Sequence, residues 1–305
     1  MATAIWPPIP AQQLADEESK SLANELEWLL TALRGTLKDL KAGLEEVSSL
    51  LAPTEQPSTL VVSSHRSESL KGFITRVGTR IVKGNIQLRL ATLPPSKGHT
   101  SYPLVISSAP HAPTLVLEQL TGARTLINAC LDVVDASTWA GDSKDPQFIA
   151  GQMRLLDVNI SEAKAALKGA PETQIAWWQQ QVEAGTFEPA LPANLAFHLC
   201  VVDASLVLEI RTLEPLQPAQ SDFSAFSFGN RLASALGASR LPIHDEADQL
   251  FTYHNQQVRV KEKVRVESQD PNLMAAMAKL NALERSVALG RKALDIVMGE
   301  EEDDQ

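Results

Sequence analysis

Residues 22–51 read LANELEWLLTALRGTLKDLKAGLEEVSSLL, in which Leu22, Leu26, Leu29, Leu33, Leu37, Leu40, Leu44, Val47 and Leu51 recur in steps of three and four. That spacing predicts a single long amphipathic helix. Negative charge is favoured at a helix N-terminus, so Asp16-Glu17-Glu18 is read as its opening turn. Pro53 and Pro57 stop it, and Thr54 to Ser58 is read as a linker. A stripe of this length has to be covered by apolar surface of similar length.

Three later segments carry the same period. Residues 114–139 place Leu117, Leu120, Ile127, Leu131 and Val134 on one stripe. Residues 145–168 do so with Phe148, Met153, Leu156, Ile160, Ala163 and Leu167, and residues 271–297 with Leu273, Met277, Leu280, Leu283, Val287, Leu294 and Val297. The expected core therefore joins Leu26, Leu33, Leu37, Leu40 and Leu44 of the first helix to Leu280 and Val287 of the last.

Between the helical segments the period falls to two. Thr59 to Ser63 and Tyr102 to Ser107 read as strands, and Leu70 to Val77 with Arg80 to Leu90 as a hairpin turning at Gly78-Thr79. A second hairpin, Leu195 to Val202 and Leu206 to Leu213, turns around Asp203-Ala204-Ser205; both its faces are apolar, which predicts a central position in a sheet. In Gln257 to Glu267, Val258, Val260, Val264 and Val266 alternate with Arg259, Lys261, Lys263 and Arg265, with Glu262 intruding on the valine side as the mark of a bulge or an edge. Short helices are expected at Trp177-Trp178 and at Asn230 to Leu236.

Isolated hairpins are marginal, so the two β blocks are expected to leave the helices and merge. The expected fold is α+β: an antiparallel four-helix bundle from the N-terminal, central and C-terminal helices, plus one antiparallel β domain from two discontinuous blocks. The boundaries that follow are 14–52, 113–170 and 271–299 for the helical domain and 57–108 and 190–268 for the β domain. Residues 1–13 and 300–305 are expected to be disordered ends.

The 305-residue chain is 44% apolar and 21% charged, an ordinary soluble composition, with no apolar run long enough to span a bilayer. Pro7, Pro8 and Pro10 stand where a secretory leader would have its apolar core, so a cytoplasmic location is expected. Cys130 and Cys200 sit inside apolar patterns and read as buried thiols. A net charge of −10 argues against nucleic acid as a partner and suits protein partners.

The usual signatures of phosphate, dinucleotide, zinc or calcium sites are missing from the sequence, as is a nucleophile elbow, and no two of the six histidines stand four apart on a helix. No cofactor, metal or catalytic residue is assigned, and an enzyme is not expected. His244-Asp245-Glu246 has acid/base or metal-binding residue types but reads more simply as a solvated loop, and His198 as a core histidine with a hydrogen-bond partner. Asp132 and Asp135 read as a solvated helix side. The candidate docking residues are Arg259, Lys261, Lys263 and Arg265, whose alternating charge is equally a device for keeping an edge strand from pairing, and Trp177 and Trp178, which are of the type enriched at binding hot spots.

Three stretches together resemble the Rogdi family. They are Glu25-Leu26-Glu27-Trp28-Leu29-Leu30; Leu70-Lys71-Gly72-Phe73-Ile74 followed by Asn85-Ile86-Gln87-Leu88-Arg89-Leu90; and Ala190-Leu191-Pro192-Ala193-Asn194-Leu195 running through the hairpin to Leu213-Glu214-Pro215-Leu216-Gln217-Pro218. The charged end after Gly299 and the stretch from Pro215 to Leu241 depart from the family pattern. The resemblance implies an elongated molecule made of a helical-bundle domain and a β domain, and a non-catalytic adaptor in a complex of the RAVE type, the regulator of the ATPase of vacuoles and endosomes. Its implied partners are a large WD-propeller subunit of the DMX-like (rabconnectin) kind, a Skp-type ubiquitin-ligase component and the peripheral sector of the vacuolar proton ATPase. The implied role is to reassemble that sector onto the membrane sector, with indirect membrane contact only. The alternative carried by the first helix alone is a homo-oligomeric coiled-coil scaffold.

Overall fold

A computed structural model describes residues 10–54, 56–95, 98–139, 145–216 and 244–299. The chain runs as α1 (Ala11–Leu50), β1 (Ser58–Ser63), β2 (Leu70–Val77), β3 (Arg80–Leu88), β4 (Tyr102–Val105), β5 (Leu115–Val116), α2 (Glu118–Trp139), α3 (Pro146–Lys168), β6 (Leu195–Val202), β7 (Ser205–Pro215), β8 (Leu250–Tyr253), β9 (Gln256–Gln269) and α4 (Pro271–Met298). It divides into a helical unit of residues 1–49, 122–164 and 275–305 and a second unit of residues 50–121 and 165–274.

In the helical unit the α1 stripe is buried from Leu29 through Leu33, Leu37, Leu40 and Leu44 to Val47. Leu280 and Val287 of α4 are buried with it, whereas Leu26 is only half buried and Leu22 is exposed. Glycines permit close approach where the helices touch: a Cβ on Gly43 would lie 2.6 Å from Leu283, and one on Gly290 would meet Met153 and Leu33. Ion pairs flank the seams, from Lys41 to Asp135 at 2.7 Å, from Arg291 to Asp157 at 2.6 Å and from Lys164 to Glu284. All three are partly exposed, so solvent screens them and they serve mainly to fix register.

The expected antiparallel four-helix bundle is corrected by this order, as is the merging of the two β blocks into one sheet, although both blocks do fall in the second unit. Strands β1–β5 stand between α1 and α2, and β6–β9 stand between α3 and α4. The strands make two antiparallel sheets: a five-stranded one, β1-β2-β3-β4 with β5 on β3, and a four-stranded one, β6-β7-β9-β8. Among the described residues the fold is four long helices plus two sheets, α+β. Sheets stay separate because each block recruits its own third and fourth strands around a tight hairpin. Closing such a local loop costs less entropy than pairing strands more than a hundred residues apart.

The turns explain the registers. Gly78 takes the left-handed φ of 57° between β2 and β3, and Asp203 (47°) and Ala204 (57°) both take it between β6 and β7. The end of α3 holds the second turn in place, with the carbonyls of Lys168 and Leu167 accepting from the Asp203 and Ala204 amides.

Strand β6 is the end strand of its sheet, contrary to the central place expected for it. It is buried because its open edge is covered. The Gln119 side-chain amide accepts from the Val201 N–H at 2.8 Å and donates to the Val201 carbonyl at 3.1 Å, doing the work of a neighbouring strand.

Several local expectations also shift. The first helix begins at Ala11, so Ala11 to Gln13 are helical and the acidic run lies in its second turn; residues 1–9 and 300–305 are outside the described residues. Trp177-Trp178 forms a turn, not a helix, and Asn230 to Leu236 is outside the described residues.

Candidate functional site

A buried ion network of the second unit gathers on one face of the β6-β7-β9-β8 sheet, and a bulge decides which residues reach it. Thr212 pairs with Glu262 but Leu213 pairs with Val260, so Lys261 is an extra residue in β9. Residues on either side of it change faces. Val258 and Val260 pack with Trp177, Ala196, Leu213 and Tyr253. Val264 and Val266 pair with Ile210 and Leu208 on the opposite face. The single valine face and single basic face expected from the alternation are therefore corrected: Arg259 pairs across from Glu214, and Lys263 and Arg265 across from Arg211 and Glu209 on the other side of the sheet.

Glu262, the residue that broke the alternation, turns inward and is 6% exposed. Its carboxylate accepts from the Thr92 amide at 3.1 Å and the Thr92 hydroxyl at 2.9 Å, which tethers the loop after β3 to the second sheet. This is a structural use of the bulge.

Around Lys263 and Arg265 lies a buried ion network. Arg211 donates from Nε and Nη2 to the Glu246 carboxylate at 2.7 and 2.8 Å and from Nη2 to Glu209 at 2.7 Å. Lys263 donates to Glu246 at 2.7 Å and to Asp245 at 2.9 Å, and Arg265 reaches Glu209 at 3.4 Å. The Trp177 ring stacks over the Arg211 guanidinium 4.7 Å away. Glu246 is buried in this network, so the solvated-loop reading of His244-Asp245-Glu246 is corrected for Glu246; His244 accepts the Glu246 amide hydrogen bond on Nδ1 at 3.2 Å.

Burial would raise the Glu209 carboxyl, but His198 and Arg211 outweigh it and hold the group at about 2. Arg211 at 2.7 Å is the stronger support, since His198 Nδ1 stands 3.6 Å from the carboxylate. His198 is buried and its Nε2 lies 3.2 Å from the Ile175 carbonyl, as a core histidine requires. Burial also drives Cys130 up to about 12 and Cys200 up to about 11, so both thiols stay protonated at neutral pH.

The sequence candidates thus separate by role. Trp177 is 4% exposed and is a core residue; Trp178, 38% exposed, rests on Phe251 with ring centroids 5.1 Å apart. Lys263 is inside the network, Lys261 pairs with Glu214 at 2.7 Å, and Arg265 is half committed to Glu209. Arg259 remains exposed. Glu209 and Arg211 were missed, although two charges at alternate positions inside the apolar strand Leu206 to Leu213 were a readable sign of a buried pair. The network satisfies charge with charge and leaves no nucleophile beside a base. Among the described residues no cluster of three His, Cys, Asp or Glu could hold a metal, and no helix is long and apolar enough to cross a membrane.

Compared with known proteins, residues 25–295 match the family described as Rogdi leucine zipper containing protein, a span that includes all three quoted stretches as far as Pro218. No curated protein matches the chain.

Proposed function

The chain belongs to the Rogdi family, and on that premise we propose that it is a non-catalytic adaptor subunit of a RAVE-type complex that promotes assembly of the vacuolar proton ATPase. The observation that carries the reading is the family match across residues 25–295. Rogdi is not a known enzyme family. The ion network supports the reading from the chemical side: its groups neutralise one another inside the second unit and serve packing. An adaptor works by presenting surfaces, and the affinity of a surface comes from a few well-placed anchors.

The proposed partners are a large WD-propeller DMX-like (rabconnectin) subunit, a Skp-type ubiquitin-ligase component and the peripheral sector of the ATPase. In this role the chain is cytoplasmic and reaches vacuolar or endosomal membranes through those partners. The test is recovery of a tagged chain from its own cells. Co-purification of the propeller subunit and the peripheral sector is expected, together with slower reacidification of vacuoles in cells lacking the chain. Recovery of neither partner under conditions that keep the ATPase intact refutes the proposal.

A further inference from the structure

Helix α1 is 40 residues long, about 60 Å, yet its covering within the helical unit stops short of its N-terminus. From Ala11 to Trp28 every residue is exposed except Leu26, which is half buried. Leu14 is 55% exposed, Leu22 46% and Trp28 71%, and burial begins abruptly at Leu29 and Leu30. About 27 Å of helix thus stands clear of the other described helices of its unit. A free helix of that length is marginal in water and gains little from propensity alone.

The exposed part is not a uniformly polar extension. Ala15, Leu22 and Leu26 fall on the same 3.6-residue stripe as Leu29, Leu33, Leu37, Leu40 and Leu44, so the phase of the buried seam carries outward, with Ser19 as a polar place on it. Glu18 and Glu25, seven residues apart, occupy one shoulder of that stripe. The segment holds five carboxylates, Asp16, Glu17, Glu18, Glu25 and Glu27, against one lysine, and Lys20 is already paired with Glu17 at 3.1 Å. Neither shoulder glutamate has a cation beside it in the segment.

Charge decides what fits. A second copy laid antiparallel sets these glutamates against each other, and laid parallel it offers them Ala23 and Leu30, so self-association supplies no countercharge. A helix with apolar residues on one stripe and Lys or Arg on its shoulder satisfies both the leucines and the glutamates. We propose that Ala11–Trp28 is a docking seam for an amphipathic helix of another protein, one carrying basic residues beside its apolar stripe. The inference rests on this geometry and not on the vacuolar-ATPase reading, and it stands or falls separately.

The test uses the full chain and two synthetic three-heptad helices with leucine at the core positions, one with lysine and one with glutamate at the shoulders. Fluorescence anisotropy of the labelled peptides measures binding. The lysine peptide is expected to bind about tenfold or more tightly than the glutamate peptide, with the difference shrinking in high salt. The variant Glu18→Lys with Glu25→Lys should reverse the preference while its urea midpoint stays that of the parent, because both positions are exposed. Equal binding of the two peptides, or a preference that the double variant leaves unchanged, overturns the proposal. So does a chain that light scattering shows to be a dimer, and to become a monomer with Leu22→Asp, since the occupant is then a second copy. Binding that appears only after residues 1–9 are removed assigns the seam to the chain's own N-terminus and overturns it equally.

Discussion

Replacing Asp270 by alanine should be among the most damaging single substitutions in the β-rich unit. Asp270 and Arg76 are both 0% exposed. The carboxylate accepts from Arg76 Nε at 2.6 Å and Nη2 at 3.1 Å, while Arg76 Nη1 donates to the Gly78 carbonyl of the β2–β3 turn. The same carboxylate caps α4, accepting from the amides of Asn272 at 3.0 Å and Leu273 at 3.4 Å. Alanine leaves a buried guanidinium without its counter-ion, which costs roughly 3–5 kcal/mol. Loss of the cap adds about 1 kcal/mol. Together these approach the whole stability of an ordinary domain, about 5–15 kcal/mol. Urea unfolding followed by circular dichroism should show the midpoint falling by about 1.5 M or more. Two further variants apportion the loss. Asp270→Asn keeps an oxygen for the cap and removes only the charge, so it should fall between parent and alanine. Arg76→Met with Asp270→Ala removes both charges and should recover most of the loss, because no charge is then stranded in the interior. The reasoning is refuted if Asp270→Ala costs less than about 1 kcal/mol, or if the double variant is no more stable than Asp270→Ala.

Three other outcomes are expected. Gly72→Ala should prevent folding or cost several kcal/mol, because the new Cβ meets the Asn85 carbonyl oxygen at 2.1 Å, whereas Gly35→Ala, with nothing within 4 Å, should raise the thermal midpoint by stabilising α1 by roughly 0.5–1 kcal/mol; differential scanning calorimetry separates the two. Leu37→Asp buries a carboxylate where the side chain is 2% exposed and should give an aggregated or helix-depleted protein, while Leu22→Asp should keep the parent circular dichroism spectrum and melting temperature. Glu209, held at about 2 against an unfolded value near 4.3, should contribute stability that is complete above about pH 4.5 and is lost as pH falls from there towards 2. Because its folded pKa is the lower one, protonation favours the unfolded chain; Glu209→Gln should flatten the acid limb of the stability curve over that window, and an unchanged limb counts against the network.

The helices are legible in the amino-acid sequence because their signal is local and repeated. The α1 stripe recurs nine times between Leu22 and Leu51, and four of its five expected core leucines, Leu33, Leu37, Leu40 and Leu44, are buried as read, with Leu26 half buried. Both hairpins are legible for the same reason, since Gly78-Thr79 and Asp203-Ala204 sit between alternating runs. The candidate docking residues fare differently. A single inserted residue, Lys261, turns one basic face into two, and sequence alternation cannot register this because side-chain direction in a strand depends on what the partner strand opposes.

What the sequence determined by itself is the four long helices, the two hairpins, the burial of Cys130 and Cys200, and, through three spaced stretches, the family. Tertiary structure alone decided that the β blocks form two sheets and that Gln119 closes the edge of β6. It likewise decided that Arg76 finds Asp270 across 194 positions and that Arg211 and Lys263 share Glu246. Short-range periodicity follows from backbone geometry, which every residue obeys alike. Long-range pairing follows from which buried charge meets which, and that is fixed only once the strands have been brought together.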